Sequence, residues 1–150
     1  MELNTTIYRD GEGIPVVLVH AFPIDHHLWD DCAAELIVRA NAAGLPRFPI
    51  WAPDMPGAGE GPIPTAEQTG AVAPDGAYTE ALDRMADAYV DLIRKAGFTK
   101  AIWVGLSMGG YLVLDIQRLH PEVVAGLALC DTKADADSAA SRANRLHIAD

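Results

Sequence analysis

Basic residues are scarce in this sequence. It has 11 Lys and Arg against 21 Asp and Glu, which gives a formal net charge of −10 over 150 residues. A surface this negative repels the phosphates of nucleic acids and the anionic headgroups of membranes. We therefore expect neither a nucleic acid nor a membrane as a partner.

Long apolar runs and cysteines are also rare. No run is long enough to span a bilayer, and the first residues lack the basic-then-apolar pattern of a signal peptide. Cys32 and Cys130 fit no metal or redox spacing, so we expect two buried thiols in a reducing compartment. Since half of the residues are hydrophobic, the sequence predicts one globular domain in the cytoplasm.

Strand-like and helix-like patterns alternate along the chain. Val16–Val19 is a continuous apolar run, typical of a strand buried on both faces of a parallel sheet. Strands alternating with helices predict an α/β fold with a mainly parallel sheet and helices on both faces. The predicted strands are 5–9, 16–19, 48–52, 101–104 and 123–129, and the predicted helices are 25–43, 79–96, 108–119 and 137–149.

Residues 53–77 are rich in Gly and Pro and interrupt this alternation. We expect a long surface loop here, and loops of this length are usually functional or mobile. Thr79 is the expected cap of the following helix, and Gly97 is expected to close it.

The segment Gly105-Leu106-Ser107-Met108-Gly109 matches the pattern G-x-S-x-G. It follows a predicted strand and opens a predicted helix, which is the context that makes this short pattern specific. A serine on such a strained turn is exposed at the carboxyl end of the sheet, and the positive end of the helix dipole favours developing negative charge there. We therefore predict Ser107 as a nucleophile; the alternative is an ordinary serine in a glycine-rich turn.

Three segments in order resemble the N-terminal part of the α/β-hydrolase fold family, close to small esterases and 3-oxoadipate enol-lactonase-like hydrolases. Residues 17–23 resemble the family's strand followed by H-G-x-P. Residues 54–59 resemble its D-x-P-G-x-G turn, and residues 104–110 resemble its nucleophile turn. The resemblance implies a serine hydrolase that acts on a small ester or lactone without a cofactor.

The same resemblance implies that the backbone N–H groups of Phe22 and Met108 bind the oxyanion. Ala21 departs from the family pattern, which has glycine at this position. If the position requires a positive φ, the methyl group costs about 1 kcal/mol of strain.

The acid and the base of a catalytic triad are harder to place. In this fold they follow the serine in the order acid, then histidine. After Ser107 only His120 and His147 remain, and neither follows a late strand. Asp131 follows the last predicted strand and is a candidate acid, with a loop or capping aspartate as the alternative.

Three other groups of polar residues have structural explanations. We expect Asp54 to shape its turn and His20 to make a structural hydrogen bond behind the oxyanion loop. The run Asp25-His26-His27 is expected to be solvated, because adjacent residues at a helix start face different ways and chelate poorly. No metal site is predicted.

We therefore expect residues 1–150 to form one partial hydrolase domain, with a cap region beginning in 135–150. The strand 123–129 would then present an unpaired edge, and we expect a complementary polypeptide or a second copy to cover it. Three functions stay open: an ester or lactone hydrolase that receives its histidine from elsewhere, a catalytically inactive interaction or assembly subunit, and a cofactor-free perhydrolase.

Overall fold

The computed structural model describes residues 1–149 and contains one five-stranded sheet in the order β1-β3-β2-β4-β5. The strands are β1 (Thr5–Arg9), β2 (Val16–Val19), β3 (Ile50–Pro53), β4 (Ala101–Leu106) and β5 (Val124–Cys130). The α-helices are α1 (Asp30–Ala42), α2 (Ala66–Thr69), α3 (Ala81–Lys95), α4 (Met108–Leu119) and α5 (Ala139–Ala149). Two 3-10 helices cover His26–Trp29 and Pro121–Val123.

Strands β3, β2, β4 and β5 are parallel to one another, and β1 adds an antiparallel edge beside β3. This confirms the predicted mainly parallel sheet. In parallel strands the carboxyl ends share one edge of the sheet, so the segments that follow β2, β3, β4 and β5 meet there.

Helices cover both faces of the sheet, as predicted. The alternating side chains of β2 show this directly: Val17 and Val19 pack in a core that includes residues of α3 and α4, whereas Val16 and Leu18 pack against Ala33 of α1. All four β2 residues are buried, which explains the unbroken apolar run in the sequence.

Two predicted helices begin differently from expectation. The predicted helix 25–43 starts as a 3-10 turn, because the Asp25 carboxylate accepts a hydrogen bond from the His27 N–H and caps that turn. Helix α3 begins at Ala81 with Glu80 at the N-cap position, because the Thr79 hydroxyl bonds instead to the Ala71 carbonyl.

The segment 53–77 is not wholly irregular. It contains α2, four residues long, whose capping box joins Thr65 and Gln68. The Arg84 side chain of α3 donates to the Glu67 carbonyl at 2.6 Å and so ties this segment to the folded body. A single helical turn is too short to leave a hydrophobic period in the sequence.

Helices α3 and α4 are joined by an ionic cluster. Arg118 donates to Asp115 and to Asp83, each at 2.7 Å. Burial raises the pKa of Asp115, against the opposing effect of Arg118, and the nearby Asp83 carboxylate raises it further. The second carboxylate oxygen of Asp115, Oδ2, is buried without a hydrogen-bond partner among the described residues.

The expectation that both thiols are buried is wrong for Cys32. This residue is exposed on α1, whose inward face is formed by Ala33 and Ala40, while Cys130 is partly buried at the end of β5. Both cysteines are free. Within residues 1–149, no helix has the length and apolar composition needed to cross a membrane.

Candidate active site

Ser107 lies on the sharp turn between β4 and α4, with φ 52° and ψ −111°. Hydrogen bonds hold this turn on both sides of the residue. Its N–H donates to the Cys130 carbonyl at 3.0 Å, and its carbonyl accepts from the Gly110 N–H at 2.9 Å and the Thr132 hydroxyl at 2.8 Å. These contacts fix a backbone conformation that L-residues rarely adopt.

The turn requires glycine at two positions because the backbone is packed too closely for a side chain. A Cβ on Gly105 would lie 2.4 Å from the Gly109 carbonyl oxygen, and one on Gly109 would lie 2.3 Å from the Val19 carbonyl oxygen. The second contact brings the start of α4 against the end of β2. The two glycines of G-x-S-x-G therefore serve close approach.

Phe22 and Met108 both line a small cleft beside the nucleophile turn. The cleft encloses about 160 Å³ and is lined mainly by the segments that follow β2 and β3, including Met55. Met108 is the first residue of α4, so its N–H has no partner within the helix. Within the described chain, no backbone hydrogen bond uses the Phe22 N–H either.

Ala21 carries no left-handed strain. Across residues 1–149, the non-glycine residues with positive φ are Ser107 and Asp131. Because Ala21 is not among them, the methyl group does not incur the cost considered from the sequence. The side chain is buried at the end of β2.

His20 links the oxyanion segment to the turn after β3, as expected. Its ring is buried; Nε2 accepts the Met55 N–H at 2.9 Å, and Nδ1 lies 2.9 Å from the Ala21 carbonyl oxygen. A nitrogen that accepts a hydrogen bond has no proton, so Nδ1 is the donor. Both ring nitrogens are therefore engaged in structural hydrogen bonds.

Asp54 shapes its turn, as predicted, and also binds a histidine. Its carboxylate accepts from the backbone N–H groups of Glu60 and His26, and it lies 2.9 Å from His26 Nδ1. Burial opposes ionisation of Asp54, but the hydrogen bonds from His26, together with those from Asn4 and Glu60, hold its pKa below the ordinary value. The expectation of a solvated His26 is therefore wrong, because this side chain turns inward onto Asp54.

The comparison with known proteins explains this combination of turns. Residues 14–149 match the sequence model of the alpha/beta hydrolase fold family. The chain belongs to this family. No protein of curated function matches it.

Solved α/β-hydrolase structures are similar over nearly the whole chain. A thermophilic esterase from Thermogutta terrifontis is 32% identical with a TM-score of 0.75, over 98% of this chain and 47% of that chain. A hydrolase from Pseudomonas aeruginosa PA01 is 20% identical with a TM-score of 0.74, over 97% and 48%. Est816, described as an N-acyl homoserine lactone degrading enzyme, is 20% identical with a TM-score of 0.62, over 87% and 42%. This α/β-hydrolase chain thus spans about half the length of these structures.

The histidines that follow Ser107 lie elsewhere in this α/β-hydrolase chain. His120 Nε2 lies 2.7 Å from Asp87 of α3, and His147 is exposed on α5. In the described residues, no hydrogen bond joins the Ser107 hydroxyl to a histidine.

Asp131 lies next to the nucleophile turn. It follows Cys130, whose carbonyl accepts the Ser107 N–H, and it is exposed with φ 43°. Its carboxylate has no hydrogen bond that would mark it as a cap within residues 1–149. Asp131 therefore lies at the carboxyl edge of the sheet, where ligands bind in open α/β folds.

Two residues of the site were missed from the sequence. Thr132 donates to the Ser107 carbonyl, and His26 is the buried partner of Asp54. Thr132 belongs to no recognisable pattern. The sequence predicts that His26 is solvated together with its two neighbours. The one signal for a buried His26 is Asp54 in the family's acidic turn, because a buried carboxylate needs a hydrogen-bond donor.

Proposed function

We propose that this chain carries the nucleophile and the oxyanion donors of a serine hydrolase. The strained conformation of Ser107 is the observation that supports this most strongly. A non-glycine residue at φ 52° and ψ −111° is retained only where surrounding contacts hold it, and such residues cluster at functional sites. The hydroxyl would attack a carbonyl carbon and form a tetrahedral intermediate.

The oxyanion of that intermediate would be bound by the N–H groups of Phe22 and Met108. Both residues line the same cleft, and Met108 adds the positive end of the α4 dipole. Backbone donors do not depend on side-chain identity, and Ala21 adds no strain beside them.

The proposed substrate is a small carboxylic ester or lactone. The similarity to an esterase at 32% identity supports the ester, and the cleft of about 160 Å³ lined by Phe22 and Met108 is compatible with a small acyl group. No step of this proposal uses a cofactor. We propose the cytoplasm as the location, because the two free cysteines suit a reducing compartment.

The base, and the acid unless Asp131 supplies it, would come from polypeptide outside this chain. The open edge of β5 supports this part of the proposal. Leu127 and Leu129 are 37% and 48% exposed on one face of the strand, and Ile102 of β4 is 36% exposed on the other face. A complementary polypeptide or a second copy that pairs with β5 would bury these apolar side chains and bring a histidine to Ser107. Helix α5 would begin the cap region.

A fluorophosphonate probe, followed by intact-mass spectrometry, tests this proposal. With every co-purifying polypeptide retained, we expect a single adduct on wild type and none on Ser107→Ala, since the probe reacts with a serine that a base activates. Light scattering on the same sample separates a second copy from a different polypeptide. A probe adduct that survives Ser107→Ala would refute the assignment of the nucleophile.

A second candidate is a catalytically inactive hydrolase-fold subunit that acts in interaction or assembly. The hydroxyl of Ser107 lacks a histidine partner in the described part of the chain, and this favours the second candidate. It predicts no adduct even after every co-purifying polypeptide has been retained, together with binding through the β5 edge.

A further inference from the structure

The wall of the cleft beside the nucleophile turn is apolar. Apart from His20, every residue that lines it has an apolar side chain or none, and the larger side chains belong to Phe22, Ile24, Met55 and Met108. Ile24 is 43% exposed, so its side chain is open to a molecule that enters the cleft. This part of the site can therefore bury a hydrocarbon group, and its lining includes no Lys or Arg that would bind a carboxylate.

His20 is the titratable residue of this lining, and its hydrogen bonds leave it uncharged. Nε2 accepts the Met55 N–H, and Nδ1 then donates to the Ala21 carbonyl. A proton on Nε2 would break the hydrogen bond to Met55, because a protonated ring nitrogen is a donor only. The ring therefore brings no positive charge to a substrate.

Two carboxylates lie next to the cleft along the chain. Asp54 directly precedes Met55, and its pKa lies below the ordinary value because hydrogen bonds outweigh the opposing effect of burial. Asp25 directly follows Ile24, and the hydrogen bond to His27 lowers its pKa. Both groups are therefore ionised at neutral pH, and their charge repels an anion in the cleft.

The basic groups that could offset this repulsion already have acidic partners. Lys133 and Arg145, which follow β5 in the chain, both pair with Asp137. His27 Nδ1 lies 2.9 Å from Asp25 Oδ1. A substrate anion would thus meet no unpaired cation among these groups.

We propose that the cleft selects an ester or lactone with an apolar, uncharged acyl group and discriminates against an acyl group that ends in a carboxylate. A carboxylate against these walls would lose its hydration without gaining a donor. This inference rests on the proposed function and narrows its substrate class. The 3-oxoadipate enol-lactone considered from the sequence keeps a free carboxylate, so the proposal disfavours lactones of this kind.

Two fluorophosphonates that differ only at the end of the alkyl chain test the proposal, with every co-purifying polypeptide retained. One chain ends in a methyl group and the other in a carboxylate. With each probe the Ser107 oxygen forms a bond to phosphorus, fluoride leaves, and the hydroxyl proton passes to the base. We expect the methyl-ended probe to label wild type about tenfold faster or more, because the carboxylate pays for its desolvation and for the repulsion.

Two lysine variants locate the cause of this selectivity. Ile24→Lys adds a cation to the wall of the cleft and should reduce the ratio of the two labelling rates about fivefold or more. Val38→Lys is the matched control, because it adds the same charge at an exposed position late in α1, outside the cleft, and should keep the ratio.

Equal labelling of wild type by the two probes would overturn this inference while the assignment of Ser107 stands. The same ratio in the two lysine variants would overturn it too, because the selectivity would then not arise in the cleft. Absence of labelling by both probes would instead refute the proposed function, and this inference with it.

Discussion

Replacing Ser107 by glycine and by alanine separates the strain of the nucleophile turn from the loss of its hydroxyl. Both variants lack the hydroxyl, but only glycine adopts φ 52° without steric cost. A residue held in such a region stores about 1–3 kcal/mol. The glycine variant loses about 0.5–1 kcal/mol of this advantage, because glycine has greater conformational freedom in the unfolded chain. We therefore expect Ser107→Gly to exceed Ser107→Ala in unfolding free energy by about 1 kcal/mol.

Urea unfolding followed by tryptophan fluorescence measures this difference, because Trp103 is fully buried on β4. For a domain of this size, about 1 kcal/mol corresponds to a shift of about 2–4 °C in Tm. Ala34→Gly on the exposed side of α1 is the matched control. There the same pair of residue types should rank in the opposite order, with glycine less stable by about 0.5–1 kcal/mol.

A Ser107→Gly variant that is no more stable than Ser107→Ala, with the control behaving as described, would contradict strain at this turn. In that case the turn would not be strained, and the main support for a poised nucleophile would be lost. A gain at residue 107 together with a loss at residue 34 would show that the chain holds its serine at the expense of stability.

Three further outcomes are expected. Gly109→Ala should destabilise the fold by about 3 kcal/mol or more, because the added Cβ would clash with the Val19 carbonyl oxygen. Gly126→Ala on β5 is the control, since its Cβ would make only ordinary van der Waals contacts. This control should be neutral or slightly stabilising in the same urea assay. Asp115→Asn should be more stable than wild type at pH 7, because burial raises the pKa of Asp115 and so disfavours the ionised carboxylate in the folded state. The protonated Asp115 contributes its full stability below the ordinary pKa of aspartate, and this contribution is lost as pH rises through the raised pKa. The unfolding free energies of the two proteins should therefore be similar near pH 4 and should differ increasingly at higher pH. Thr132→Val should slow labelling by the fluorophosphonate and lower the unfolding free energy by about 1 kcal/mol, because it removes the hydrogen bond to the Ser107 carbonyl. Thr132→Ser keeps this hydrogen bond and should restore the labelling rate. Equal labelling of the two variants would contradict a role of Thr132 in positioning Ser107.

Sequence patterns predicted the elements whose periodicity is strong and local. The continuous run of β2 and the helical spacing of α4 have the predicted bounds, because burial on both faces or on one helix face leaves a clear signature. The G-x-S-x-G segment predicted the place of Ser107 on its turn for the same local reason.

The remaining features depend on contacts between distant residues. The inward turn of His26 exists because Asp54, in another loop, needs donors for a buried carboxylate. Thr79 loses its expected capping role because Ala71 offers its hydroxyl a different acceptor. The antiparallel position of β1 is set by its pairing with β3 across the sheet.

The contacts around Ser107 also set when its geometry can appear during folding. Gly109 rests on Val19 of β2, and the Ser107 N–H bonds to Cys130 of β5, so the turn touches strands on both sides of β4. Parallel strands that are far apart in sequence pair late, because a long loop must close before their contacts form. A partly folded chain would thus contain the serine in a relaxed conformation, and the strained turn would form only as the last strands come into register. When the polypeptide that supplies the base is present throughout refolding, probe-reactive protein should therefore accumulate at the rate at which the sheet is completed.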